Sequence, residues 1–401
     1  MTKIWKAFVV VVCATVLAMP AQAQKKYGPG VSDTEIKIGQ TMAYSGPASS
    51  YGALGKVQAA YFKMINEQGG INGRKINFIS LDDAFSPPKT VEGVRRLIEQ
   101  ENVLALFGMI GTASNAAVHR YVNSKKIPHL FITSGATKWN DPKDFPWTLP
   151  FYPSYHSEAV IYAKHILATK PGAKIAVLFQ NDDYGKDYLK GFKEGLGAKA
   201  NMIVAEASYE LSDPTVDSQI ISLKASGADV LVQFILNKAA AQAIRKVHDL
   251  GWRPTRYLSS TSTSIAAVLK PAGIDKAVGI YSLAWYKDPV AKQWENDPWL
   301  KEHQAFMKKY LPQDDATQST YVPGVLIAQT MVQVLKACGD ELTRENVLKQ
   351  ATTLKDLQFP GLLPGIKLNT SPADYAMLHA LQMVQFDGTQ WARQGELMSV
   401  K

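Results

Sequence analysis

From Glu35 onward the chain alternates strand-like and helix-like segments, and after one interruption it does so a second time. EIKIGQTMA (35–43) alternates apolar and polar side chains as a half-buried strand does. Leu54, Val57, Tyr61, Met64 and Ile65 then share one helical face, and GGINGR ends that helix and turns the chain. A strand KINFISLDD, a helix over 88–101, a strand over 103–107, a helix over 113–124 and a strand over 129–132 follow. Strands separated by helices run parallel, in a sheet covered by helices on both faces. DPKDFPWTLPFYPSY (141–155) breaks the rhythm with prolines and aromatics. It resumes with helices over 157–168, 185–196, 217–225 and 239–250, and strands over 175–179, 202–207, 230–235, 256–259 and 278–285. Helices over 298–310, 322–337 and 344–351 come next, and Asp387-Gly388 supplies the tight turn of a terminal hairpin. At 401 residues the chain exceeds one ordinary core. The expected fold is α/β, with two doubly wound parallel-sheet lobes.

Ahead of the first strand, Lys3 and Lys6 precede an apolar run from Ala7 to Met19 whose one polar member is Thr15, and Ala21-Gln22-Ala23 follows. A positive end, a short apolar core and a small-residue site describe a secretory signal peptide over 1–23, leaving Gln24 first after cleavage. The expected location is periplasmic. Loss of Lys3 and Lys6 lowers the formal charge from +9 to +7. The remaining basic residues are dispersed, which fits a solvated surface and no nucleic-acid partner. Cys338 is the one cysteine beyond the signal, so no internal disulfide is expected, and it reads as a small core residue near a helix end.

Two buried strands run into turns of small, hydroxyl-bearing residues: Gly108 to Ala117 after VLALF, and Thr133 to Thr137 after HLFI. In open parallel sheets ligands sit beyond the carboxyl ends of the strands. Backbone N–H groups and helix N-termini at such turns favour an anion. Ordinary helix capping explains either turn alone. Both together favour a binding cleft.

The sequence as a whole resembles the periplasmic solute-binding proteins of ABC importers, and among them the leucine/isoleucine/valine-binding, or type I, family. IKIGQTMAYSGPASSYG, INEQGGINGRKI and LDDAFSPPKTVEGVRRLI match the opening of its first lobe; VLFQNDDYGKDYLKGFKEGL and GADVLVQF match its second. The resemblance implies two lobes joined by a three-crossover hinge. By these matches the first comprises 24–151 with 285–358 and the second 152–284 with 359–401, with crossovers at 149–153, 283–287 and about 358–360. It implies that Tyr51 is a cleft tyrosine of the first lobe and that Gly111 and Thr112 form a first carboxylate-binding turn. Gly135, Ala136 and Thr137 would form a second such turn, and Tyr184 would close over the ligand from the second lobe. An ABC permease and ATPase are the implied partners of a monomeric binding protein that uses no cofactor.

One departure bears on the ligand. Amino-acid binders of this family place an acid in the loop that here reads LSSTSTS (258–264), where Thr261 sits nearest the acidic position. Phe234, Ile235 and Leu236 stand where those binders offer tyrosine and glycine. A desolvated ammonium without a charge partner is costly, so an apolar or aromatic carboxylate is the expected ligand. A branched-chain amino acid, with an acid from elsewhere, is the alternative; sensing for a membrane receptor is another. Enzymatic alternatives find little support. The acid pairs Asp82-Asp83, Asp182-Asp183 and Asp314-Asp315 read as caps and solvated loops, and the seven histidines show no metal-ligand spacing. His129 reads as a core or cleft residue. No nucleophile elbow, dinucleotide fingerprint or P-loop occurs. Trp285 and Tyr286 read as cleft-lining or hinge-packing residues.

Overall fold

A computed structural model describes residues 25–399; the signal peptide read over 1–23 lies outside the described residues. The first sheet has five strands in the order Lys75–Asp82, Glu35–Met42, Ala105–Phe107, His129–Ile132, Thr148–Pro150, all parallel. Helix Gly52–Glu67 packs on one face, and helices Pro87–Arg95 and Thr112–Ser124 on the other. Helix Tyr321–Ala337 returns to cover the first face. Gly324 lies where it meets helix Gly52–Glu67, and a Cβ there would come within 2.3 Å of Val57 Cγ1.

Strand Thr148–Pro150 was not expected, since the segment read as an interruption. Three residues ending in proline carry no alternation to detect, and an edge position is where a sheet tolerates proline. Between the pairs His129–Thr148 and Ile132–Pro150, Phe131 takes φ +60° and shifts the register. This irregularity lies immediately before the turn of Thr133 to Thr137 and re-aims the chain there.

The second sheet has seven strands: Ile203–Tyr209, Ile175–Gln180, Val230–Phe234, Thr255–Leu258, Tyr281–Ala284, Ala380–Phe386 and Trp391–Ser399. The first five are parallel, and the terminal hairpin adds the last two antiparallel. Helices Tyr155–Thr169 and Asp183–Leu196 cover one face, and Asp217–Ala225 and Asn237–Asp249 the other. Strands such as Val230–Phe234, buried at every position and apolar except for Gln233, follow from coverage on both faces.

The chain crosses between the sheets along three segments that meet at Trp285. Its ring lies 5.8 Å from Phe151 and 5.6 Å from Tyr152. Leu363 N donates to Trp285 O at 3.0 Å, and Lys287 N to Gly361 O at 2.9 Å. Trp285 is a packing residue of the crossovers, 1 % exposed. Cys338 is buried at the end of helix Tyr321–Ala337. Among the described residues no helix is long and apolar enough to cross a membrane.

Candidate functional site

Residues that follow the carboxyl ends of strands in both sheets enclose a cavity of about 40 Å³. The first lobe contributes Tyr51, Phe85, Gly111, Thr112 and Thr133; the second contributes Gln180, Asp182, Tyr184, Leu236 and Thr261. Tyr152 and Tyr155 enter from the crossover between them. Of the residues expected at a ligand site, the fold brings together Tyr51, Gly111, Thr112, Tyr184 and Thr261.

Gly111 takes φ +93°, a backbone region that favours glycine, and an added Cβ would come within 2.6 Å of the Phe85 ring. It caps helix Thr112–Ser124, whose first turn has no side-chain cap. The N-terminal N–H groups and the helix dipole there suit an anion. Thr112 Oγ1 lies 2.8 Å from Ser134 Oγ, which accepts from Trp139 Nε1 at 2.9 Å. With Trp139 donating into Ser134, Ser134 can donate in turn and leave the Thr112 proton for a ligand oxygen.

The aromatic wall is built from the second lobe. Tyr155 meets Tyr184 edge-on at 5.0 Å and stacks on Tyr188 at 4.6 Å. Tyr188 then stacks on Phe234 at 4.7 Å. Phe234, expected as part of the cleft wall, is third in this stack and 0 % exposed. It belongs to the core because Tyr188 and Tyr155 stand between it and the cavity; Leu236, after the strand end, is the apolar residue that reaches the cavity. Burial raises the Tyr155 hydroxyl to about 12 and that of Tyr184 well above its usual range, so both are neutral donors.

The loop carrying Thr261 has no acid of its own, yet one reaches it from behind. Glu158, fully buried on helix Tyr155–Thr169, accepts from Ser260 N at 2.7 Å, Ser260 Oγ at 2.6 Å, Tyr162 Oη at 2.8 Å and Tyr188 Oη at 3.0 Å. Burial raises its pKa against these donors. The loop is thereby fixed, and its hydroxyls are set: Thr261 Oγ1 lies 2.8 Å from Tyr184 Oη. A second acid, Asp182, is the charged residue in the cavity wall. It caps helix Asp183–Leu196, taking N–H from Tyr184 and Gly185 on Oδ1 and the Gln180 amide on Oδ2. Burial raises its pKa. Sequence reading identified the capping role; the wall position depends on how the two lobes meet.

Contacts on both sides of the cleft hold the lobes together. Tyr51 Oη lies 3.0 Å from both Asn237 Oδ1 and Thr261 O, and Asn237 Nδ2 donates to Ser50 Oγ at 3.0 Å. On the other side of the cleft, Thr137 donates its N–H to Asp187 at 3.0 Å and its hydroxyl to the same carboxylate, while Lys138 pairs with Asp183 at 2.7 Å. The second turn thus holds a carboxylate of the protein itself. Gly135, Ala136 and Thr137 line an outer cleft of about 610 Å³ instead of the enclosed cavity. Gly135 is required by close backbone approach, because an added Cβ would lie 1.8 Å from Pro153 O.

The acid pairs behave as caps. Asp82 takes the N–H groups of Tyr44, Ser45 and Ala84, and Asp83 that of Phe85. Among the described residues no cluster of His, Cys, Asp and Glu could hold a metal ion. His129 is buried, and burial lowers its pKa to about 3, so it is a neutral core residue.

Residues 35–390 match the family model described as periplasmic binding protein. The chain belongs to that family, whose members are solute-binding proteins of ABC transporters, with the type I fold. The "Leu/Ile/Val-binding protein homolog 7" of Brucella abortus (strain 2308) is 24% identical over 322 residues, covering 77% of this chain and 79% of that one. A Thermus thermophilus branched chain amino acid ABC transporter structure with bound valine superposes with a TM-score of 0.83 at 17% identity, covering 92% of this chain and 97% of the other. The fatty acid ABC transporter substrate-binding protein of Thermomonospora curvata gives 0.76 at 22% identity, covering 94% and 95%. At these identities the two structures establish the fold alone.

Proposed function

We propose that this protein captures a small carboxylate with an aromatic or apolar body between its two lobes and delivers it to an ABC permease and ATPase. The observation that carries this is the cavity wall itself: Thr112 and the open helix N-terminus on one side, tyrosines and Leu236 on the other, and no cation. Hydroxyls and backbone N–H groups hold a carboxylate without a fixed positive charge. The two lobes, 24–151 with 285–358 and 152–284 with 359–401, are taken to move about the crossovers at Trp285. Closure is driven by differential binding, since contacts from both lobes exist only when they meet. The enclosed volume is well below the ~300–1,000 Å³ of drug-sized pockets, so the lobes must part to admit a ring. The protein is exported as a monomer after removal of residues 1–23, and it turns over no substrate.

A second reading is favoured by Asp182. Its place in the cavity wall gives an α-ammonium a charge partner, and the Brucella relative and the Thermus structure are named for branched-chain ligands. The Thermomonospora protein, named for a fatty acid, supports a carboxylate without an ammonium. A thermal-shift screen of aromatic acids, aliphatic acids and amino acids, followed by calorimetry, separates the two. Stabilisation by benzoate- or phenylpropenoate-type acids is expected; stabilisation by leucine, isoleucine or valine alone would overturn the first reading in favour of the second.

A further inference from the structure

On the side of the second lobe away from the cleft, the amino-terminal ends of strands Thr255–Leu258 and Tyr281–Ala284 border a cavity of about 420 Å³. That lies within the ~300–1,000 Å³ of small-molecule sites. Its floor is aromatic. Tyr257 and Tyr281 stack 5.3 Å apart at 22°, and His165 packs against both, its Nδ1 2.7 Å from Tyr257 Oη. Burial lowers the His165 pKa, so the ring is neutral and adds no charge.

The rim is cationic. Lys170, Arg253, Arg256 and Lys276 line the cavity, with Asp275 as the one acid among the lining residues. Lys276 is paired with Asp249 at 3.0 Å. Lys170, Arg253 and Arg256 form no ion pair among the described residues. Arg256 donates to Lys276 O at 2.6 Å and Val278 O at 2.8 Å, which pins its guanidinium to the wall. A guanidinium has about five N–H groups, so most of its donors remain without a protein partner. Burial and the neighbouring Arg253 lower its pKa to about 10, a sign of a charge that water solvates poorly. Anchoring of the 276–278 segment explains two hydrogen bonds. It does not explain three unpaired cations gathered round a stacked tyrosine floor.

We propose that this cavity is a second binding site, for a planar organic anion bearing two or more acidic groups. The ring would lie against Tyr281, the partly exposed member of the stacked pair, with buried Tyr257 behind it. The acidic groups would take the free donors of Arg256, with Arg253 and Lys170 adding charge at the mouth. The interlobe cavity has the opposite character, one carboxylate and no cation, so the two sites select different ligands.

Calorimetry at low salt with benzene-1,3,5-tricarboxylate as the probe tests this on the full protein. Saturable binding of one probe per chain is expected, weakened about tenfold or more by Arg256→Gln and by added salt. Arg256 also anchors the chain, and Arg253 donates to His248 O and Trp252 O. The exposed Lys170→Gln variant therefore provides a second test that keeps these hydrogen bonds. It should weaken the probe in the same direction, as should the double variant Lys170→Gln/Arg253→Gln. Thr112→Val should leave probe binding unchanged. Inorganic pyrophosphate, charged but without a ring, and benzoate, with a ring and one charge, should both bind more weakly. No saturable binding, affinity in the Arg256 and rim variants unchanged from that of the unaltered protein, a loss in Thr112→Val, or pyrophosphate or benzoate binding as tightly as the tricarboxylate would each overturn the proposal.

Discussion

Asp187 of one lobe places its carboxylate on the backbone N–H and hydroxyl of Thr137 in the other, so a turn suited to a ligand's carboxylate is filled by the protein's own. Burial raises the Asp187 pKa, and the contact is partly open to solvent, so its contribution to closure is modest. Asp187→Ala and Thr137→Val should each weaken ligand binding by roughly three- to tenfold. The double variant should lose little more than either single one, because both remove the same contact. Calorimetry on the four proteins gives the coupling; fully additive losses would mean that Thr137 touches the ligand directly.

Thr112 has the opposite status, inside the enclosed cavity with its hydroxyl set by Ser134. Thr112→Val keeps the shape and removes one hydrogen bond to a charged group, about 1.5–3 kcal/mol. Affinity for a carboxylate ligand should fall roughly tenfold or more, with the melting temperature of the free protein little changed. Unaltered affinity would take the first turn out of the site.

Asp182→Asn separates the two ligand readings. Asparagine caps a helix as well as aspartate does, so the fold should survive the change. A carboxylate without an ammonium loses a like charge nearby and should bind equally well or more tightly. An amino acid would lose its counter-charge, and calorimetry would then show a fall of roughly a hundredfold.

Asp288, beside the crossover at Trp285, is raised from 3.8 to about 6 by burial, with Val290 N donating to it at 3.1 Å. A carboxyl whose folded pKa is raised is fully stabilising below its unfolded value, and that contribution is lost as pH rises through the folded one. Between pH 4.5 and 7.5 the native protein should therefore lose about 1–3 kcal/mol that the Asp288→Asn variant does not. Thermal unfolding across this range measures it. Parallel pH profiles for the two proteins would show that Asp288 ionises there without cost.

The strands and helices were legible because burial on one or both faces leaves a period in the sequence, and the glycine and hydroxyl content marked the turns at the strand ends. Strand Thr148–Pro150 left no such mark. Phe85 reaches the cavity because Ala84 and Phe85 both take positive φ, at 51° and 58°, which sequence pattern does not reveal. Phe234 was misplaced for a related reason. In VLVQF every residue is buried, so alternation cannot say which side chain faces the cleft. Thr137 fits its motif in type; only the approach of Asp187, fifty positions later in the chain, decides which carboxylate it holds.

Strand Tyr281–Ala284 finds its last neighbour only in Ala380–Phe386, after the chain has gone back to the first sheet and returned. During synthesis that strand stays an open edge until about a hundred further residues have emerged, and open edges invite wrong partners. Neither lobe can be finished as a separate early unit: the first awaits helix Tyr321–Ala337 and the second awaits the hairpin.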